Sequence, residues 1–177
     1  DQEVDDENGN YDYLMGADLD FGNEETAQEV TSWLYWYINL TKINGLRLDA
    51  VKHIPASFYK NLLPKIYHDF NKELFTVGEY WHGDVYHLEK YLKEVNFEMS
   101  LFDVPLHYHF YDASHNENYD FSHIFDQTLV SMYPSNAVTF VDNHDTEPSQ
   151  SLASFIPDWF KGHAYCLTLL RKAGYPC

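Results

Sequence analysis

The run Leu46-Arg47-Leu48-Asp49-Ala50-Val51 decides how the rest of the chain is read. Its residues alternate as a strand requires, with Leu46, Leu48 and Ala50 on one face and Arg47 and Asp49 on the other. Three further β-type runs follow: Phe75-Thr76-Val77-Gly78-Glu79-Tyr80, Ser100-Leu101-Phe102-Asp103-Val104 and Val138-Thr139-Phe140-Val141-Asp142. The four runs start near 46, 75, 100 and 138, so they lie 29, 25 and 38 residues apart, the length of a strand with its returning helix. Amphipathic segments fill the gaps. Residues 55–70 carry Tyr59, Leu62, Leu63, Ile66 and Phe70, with Pro64 expected to break the helix into two pieces. Residues 84–95 carry Leu88, Tyr91, Leu92 and Val95, and residues 121–132 and 159–170 complete the series. Such alternation predicts an α/β fold with a parallel sheet. No Gly-rich phosphate loop follows any of these strands, which argues against a nucleotide-binding fold. Four units are half of a (β/α)8 TIM barrel, which takes about 250 residues. The expectation is the middle of such a barrel, cut at both ends.

Upstream of the first strand, Asn23 is a plausible helix cap with Glu24 and Glu25 behind it. A helix is expected from there to about Leu40, with Val30, Trp33, Leu34, Tyr37 and Leu40 as its apolar stripe. Residues 1–30 hold eleven acids and no Lys or Arg, and Asn8-Gly9-Asn10 with Gly16 marks them mostly as loop. Over all 177 residues, 11 Lys and Arg face 28 Asp and Glu, a net charge of −17 that would repel phosphate backbones; no nucleic-acid partner is expected. With 45% hydrophobic and 18% aromatic residues the chain can build a core. No apolar run is long enough to span a bilayer, so no membrane partner is expected. Cys166 and Cys177 cannot make a disulfide framework, and Cys166 reads as a small buried hydrophobe on the last helix. The chain opens at Asp1 rather than Met, and its compartment is unassigned.

The chemistry gathers at strand ends. Residues alone leave two readings of Arg47 and Asp49: a structural ion pair, or a carboxylate kept ionised by the adjacent cation, as a nucleophile requires. Glu79 sits in Gly78-Glu79-Tyr80-Trp81 with no cation beside it in sequence, either as a solvated helix cap or as an acid whose apolar surroundings raise its pKa. The fourth strand runs into Asp142-Asn143-His144-Asp145, where Asp145 could equally cap a helix. Two carboxylates in contrasting environments on the C-terminal rim of a barrel are equipment for cleaving a glycosidic bond. Tyr13, Tyr80 and Trp81 would offer flat faces for sugar rings.

These segments resemble a known family. Gly45-Leu46-Arg47-Leu48-Asp49-Ala50-Val51-Lys52-His53, Gly78-Glu79-Tyr80-Trp81 and Phe140-Val141-Asp142-Asn143-His144-Asp145 are similar to three signature regions of the α-amylases of glycoside hydrolase family 13. Asn8-Gly9-Asn10-Tyr11-Asp12-Tyr13-Leu14-Met15 and Phe102-Asp103-Val104-Pro105-Leu106 resemble the liquefying bacterial type. The resemblance implies barrel strands four to seven in residues 23–177, and in residues 1–22 the end of a calcium-binding loop domain inserted after strand three. The next strand would begin just past Cys177. By position, the resemblance makes Asp49 the nucleophile, Glu79 the general acid and base, and Asp145 the third carboxylate. Arg47 would keep Asp49 ionised, His144 would bond the same sugar ring, and Lys52, His53 and Trp81 would line the leaving-group side. A retaining mechanism would set the two carboxyls about 5–5.5 Å apart. Asp1, Asp12, Asp18, Asp20 and the backbone carbonyl of His53 would bind Ca²⁺, alone or with Na⁺. Gly22 stands where relatives with several metals carry another Asp, so one Ca²⁺ is expected rather than two. The partner implied is an α-glucan (starch, glycogen or maltooligosaccharides) and the parent a monomer. The 177-residue segment by itself is expected to hydrolyse no starch.

Three rivals stand beside this. His107-Tyr108-His109 suggests a metal-dependent barrel hydrolase, although polar loop or helix-surface positions account for the pair more simply. An α-glucosidase or transglycosylase would use the same three carboxylates. A glucan-binding relative without catalysis is opposed by intact Asp49, Glu79 and Asp145.

Overall fold

Asn23 starts the first helix as expected: its side-chain oxygen accepts a hydrogen bond from the Glu25 N–H at 2.9 Å, and Glu24 and Glu25 complement the helix dipole. The computed structural model describes residues 19–72 and 74–177. Asp1, Asp12, Tyr13 and Asp18 therefore lie outside the described residues. The chain divides into two compact units, Asp1–Glu79 with Tyr91–Met99, and Tyr80–Lys90 with Ser100–Cys177.

The first unit runs α1 (Glu24–Thr41), β1 (Gly45–Leu48), a single 3₁₀ turn (Val51–His53), α2 (Ala56–Asp69) and β2 (Phe75–Gly78). β1 and β2 are parallel, with Gly45 opposite Phe75 and Leu48 opposite Gly78. Gly45 is required where it stands, because a Cβ there would meet the Phe75 carbonyl oxygen at 2.6 Å. The core between helices and strands is Leu34, Ile38, Leu62, Ile66 and Leu74. On α1 the buried line is thus Leu34 and Ile38, four residues apart, while Trp33, Trp36, Tyr37 and Leu40 are exposed. That corrects the stripe read from spacing: Trp33 and Tyr37 stack on one another, 5.4 Å between centroids, outside the core. Pro64 does not split α2. Pro64 and Lys60, whose carbonyl loses its partner, are both exposed, and buried Tyr59, Leu62, Leu63 and Ile66 hold the turns on either side.

α3 (Val85–Glu94) follows β2, and Leu88, Tyr91, Leu92 and Val95 are buried as the spacing predicts. The second unit holds β3 (Ser100–Phe102), α4 (Val104–His115), α5 (Leu129–Met132), β4 (Ala137–Thr139), α6 (Asp158–Leu169) and β5 (Tyr175–Pro176). β3, β4 and β5 pair in parallel in that order. The strand expected just past Cys177 has therefore begun by Tyr175. The helix expected over 121–132 shrinks to a 3₁₀ turn and the four residues of α5, since Gln127 takes a positive φ of 50° that ends any helix before it. Cys166 is exposed, not buried, because the core face of α6 is Phe160, Ala164 and Thr168 and Cys166 points the other way. Among the described residues no helix is long and apolar enough to cross a membrane.

Every strand ends earlier than its sequence pattern suggested, at Leu48, Gly78, Phe102 and Thr139. The acids singled out by sequence stand just beyond, in the turns.

Candidate active site

Ladder hydrogen bonding continues past β1 and β2 through Glu79. Its N–H donates to the Leu48 carbonyl at 2.9 Å, and its own carbonyl accepts from the Val51 N–H at 3.0 Å. Its carboxylate Oε2 accepts from the Ala50 N–H at 3.2 Å. Ala50 adopts the left-handed region, φ 46°, a conformation costly for a residue with a Cβ. The turn at Asp49–Ala50 is thus held by the glutamate of the neighbouring strand.

Arg47 joins the two acids. One guanidinium nitrogen bonds the Asp49 carboxylate and the other lies 3.1 Å from Glu79 Oε2. The Asp49 side chain is 70% exposed and that of Glu79 9%. One carboxylate is open to a ligand and the other is nearly enclosed. The surroundings read for Glu79 from sequence need correction, since the cation two residues before Asp49 serves both acids. Sequence reasoning missed Tyr59. It is buried on α2, and burial together with the nearby Asp49 charge pushes its phenol pKa well up, so it stays neutral. Only its place in the α2 apolar stripe marked it. Lys52 and His53 follow in the 3₁₀ turn, both half-buried.

In the second unit, Asn143 organises the segment after β4. Its side-chain oxygen accepts from the N–H groups of Asp145 (2.9 Å) and Thr146 (3.0 Å), while its own N–H donates to Thr146 Oγ1 at 3.0 Å. No helix starts at Asp145, so the capping alternative falls; the Asn143 side chain makes the turn and holds the Asp145 backbone in it. His144 Nε2 is 3.3 Å from Asp145 Oδ2, and the His144 side chain is 70% exposed. Asp142 is structural, accepting from the Ile156 N–H at 3.0 Å and pairing with Lys161 Nζ at 3.3 Å. Asp103, the acid at the end of β3, is likewise committed to the backbone: its carboxylate takes the N–H groups of Leu106, Leu129 and Val130 at 3.1, 3.0 and 2.7 Å.

Tyr80 and Trp81 do not offer the open faces expected of them, for both are buried. Trp81 packs against His107 and Phe140 and donates from Nε1 to the Tyr108 hydroxyl at 2.9 Å. His107 is fully buried on α4, and both its ring nitrogens are within hydrogen-bond distance of protein oxygens, which leaves none for a metal. That corrects the surface placement of this histidine and removes the ground for the metal-hydrolase rival.

Of the calcium ligands, only Asp20 and His53 fall among the described residues. A carboxylate and a backbone carbonyl are the donors a hard cation takes, but six to eight are needed. Among the described residues no three His, Cys, Asp or Glu side chains gather as a metal site. Asp20 Oδ1 accepts from the Gly22 N–H at 2.9 Å, and a Cβ on Gly22 would lie 2.9 Å from that oxygen. A side chain at 22 would push the Asp20 carboxylate aside, in keeping with a glycine there.

The described strands are parallel βα units, and the turns after β1 and β2 bring two carboxylates onto one guanidinium. The model of the α-amylase catalytic domain matches residues 4–171, and the chain belongs to that family. It is 52% identical to an α-amylase of Geobacillus stearothermophilus over all of its own length and 32% of that protein's. It is 49% identical to a glucan 1,4-alpha-maltohexaosidase of Bacillus sp. (strain 707), over 99% of the chain and 34% of the relative. A crystal structure of an Anoxybacillus α-amylase superposes with a TM-score of 0.72 at 26% identity, covering 90% of this chain and 36% of the other. The fold is therefore part of a (β/α)8 barrel, and the chain spans about a third of the length of the curated relatives it matches.

Proposed function

We propose that this chain supplies the catalytic acids of a retaining α-amylase that cuts α-1,4-glucosidic bonds within starch, glycogen and maltooligosaccharides. The observation that carries the reading is the binding of Asp49 and Glu79 by the one guanidinium of Arg47 at neighbouring strand ends. Exposed Asp49 attacks the anomeric carbon, and the bond to the leaving oxygen breaks as Glu79 gives that oxygen its proton. Glu79 then takes a proton from the water that displaces Asp49 from the glycosyl ester, so configuration is kept. Asp145 is the third acid, bonding sugar hydroxyls and supporting the oxocarbenium-like transition state. Arg47 orients Asp49 through their ion pair, and Lys52, His53 and His144 contact the sugar. Residues 1–22 close a loop domain, and residues 23–177 belong to the barrel. Asp1, Asp12, Asp18, Asp20 and the His53 carbonyl hold one Ca²⁺, whose charge clamps that loop domain in place.

The test is a trapping experiment in a full-length α-amylase that carries this sequence. Glu79→Gln incubated with α-maltosyl fluoride, whose leaving group needs no acid, should accumulate a glycosyl ester on the peptide containing Asp49, read by mass spectrometry. An adduct elsewhere, or undiminished starch hydrolysis by the variant, defeats the assignment. Products from soluble starch separate the in-family rival: mid-chain cutting drops viscosity before glucose accumulates, whereas an α-glucosidase releases glucose first. Chelation by EDTA should lower the melting temperature, with Ca²⁺ restoring it; no shift would remove the metal from the reading.

A further inference from the structure

We propose that His107 is a positioning residue for Asp145, clasping both ends of the loop that carries it; the inference rests on the role given to Asp145 above. Between β4, which ends at Thr139, and α6, which begins at Asp158, the chain has neither helix nor strand. Such a segment has no ladder of its own to fix a side chain. His107 reaches it from α4. Nδ1 lies 2.7 Å from the Val141 carbonyl oxygen and Nε2 2.8 Å from Ser154 Oγ. Residues 142–153, with Asp145 among them, are enclosed between those two contacts.

The protonation of the ring follows from its partners. A carbonyl only accepts, so Nδ1 carries the hydrogen. Burial lowers the His107 pKa and favours the neutral ring, against the opposing pull of the Val141 carbonyl and Asp142. Nε2 is then an acceptor, and the one Ser154 hydroxyl hydrogen is shared between it and the Leu152 carbonyl oxygen, each 2.8 Å from Oγ. Phe140 lies nearly parallel to the ring, at 8° and 5.2 Å, and Trp81 packs at 5.8 Å, so the imidazole is fixed in orientation. From Ser154 the restraint passes inward: its N–H donates to the Thr146 carbonyl at 3.0 Å, and Thr146 shares the Asn143 side-chain oxygen with Asp145. Each link is a hydrogen bond between neutral groups, and the chain of links ends at the backbone of Asp145.

Kinetics test this in a full-length α-amylase that carries the sequence. His107→Asn, Ser154→Ala and Asp145→Asn are compared singly and in pairs on an aryl α-maltooligoside. His107→Asn and Ser154→Ala should each lower kcat about tenfold while KM stays within about twofold, the signature of a displaced transition-state contact. In the Asp145→Asn background both effects should vanish, because nothing is left to position. An equal loss with and without Asp145, or an unchanged kcat in either folded variant, overturns the proposal. If His107→Asn does not fold, Ser154→Ala decides, since it removes one hydroxyl from the loop side. Full activity in Asp145→Asn alone would instead refute the role given to Asp145, a result separate from loss of the clasp.

Discussion

At the ends of β1 and β2 the acids are held by charge, whereas in the loop after β4 Asp145 is held by neutral donors and acceptors. Arg47 spans Asp49 and Glu79 directly, and the two strands supply the remaining hydrogen bonds through the backbone of Glu79. Around Asp145 the work falls to Asn143, Thr146, Ser154 and, behind them, buried His107. A strand end fixes its next residue through the ladder, so a single cation suffices to aim two side chains. A long irregular loop has to be tied at several points by side chains placed for the purpose.

Variants in a full-length enzyme can break or sharpen that contrast. The largest effect is expected from Asp49→Asn, which should cut kcat by about 10⁴-fold or more with little change in substrate binding, read by steady-state kinetics. Next comes Arg47→Leu, which takes the guanidinium away from buried Glu79. Because Arg47 is itself partly open to solvent, the cost should be about 2–3 kcal/mol, below the full value for a buried pair, and visible in urea unfolding. Asn143→Ala should cost about 1 kcal/mol, the worth of a lost side-chain hydrogen bond, while lowering kcat more than that stability loss would suggest. If Arg47→Leu proves milder than Asn143→Ala, charge is not the dominant restraint at the first site.

The smallest effect is one of pH. His107 is held neutral by burial, so its folded pKa lies below the ordinary value of 6.5. Its contribution to stability is present above about pH 6.5 and declines as pH falls toward the folded value, because the unfolded chain takes up the proton first. His107→Asn should flatten that part of the stability curve between pH 7 and 5, measured by thermal unfolding in matched buffers.

Much of this was legible in the amino-acid pattern, and the failures have identifiable causes. Strand spacing and alternation located β1 to β4, but the first run overshot because Asp49-Ala50 keep the polar–apolar rhythm after β1 has ended; only the left-handed turn at Ala50 reveals the end. Asp49, Glu79 and Arg47 do come together, yet sequence adjacency assigned the cation to one acid alone. Pro64 was taken as a break because a helix-interior proline loses a bond, while the surrounding core in fact sustains α2. Trp81 looked like a sugar platform for its flat ring, but tertiary packing against His107, Tyr108 and Phe140 buried it. His107 could have been found: Asp103 as a cap and Pro105 in the first turn start a helix at Val104, and Val104, His107 and Phe110 then share its core face. Of the proposed calcium ligands, Asp1, Asp12 and Asp18 lie outside the described residues.

The sharing of Arg47 has a practical consequence for anyone wishing to reposition the acids of such an enzyme. A substitution that draws the guanidinium toward Asp49 takes it away from Glu79, and the reverse holds equally. The proposed attacking group and proton donor cannot be re-aimed one at a time from this side; they behave as one dial with two pointers.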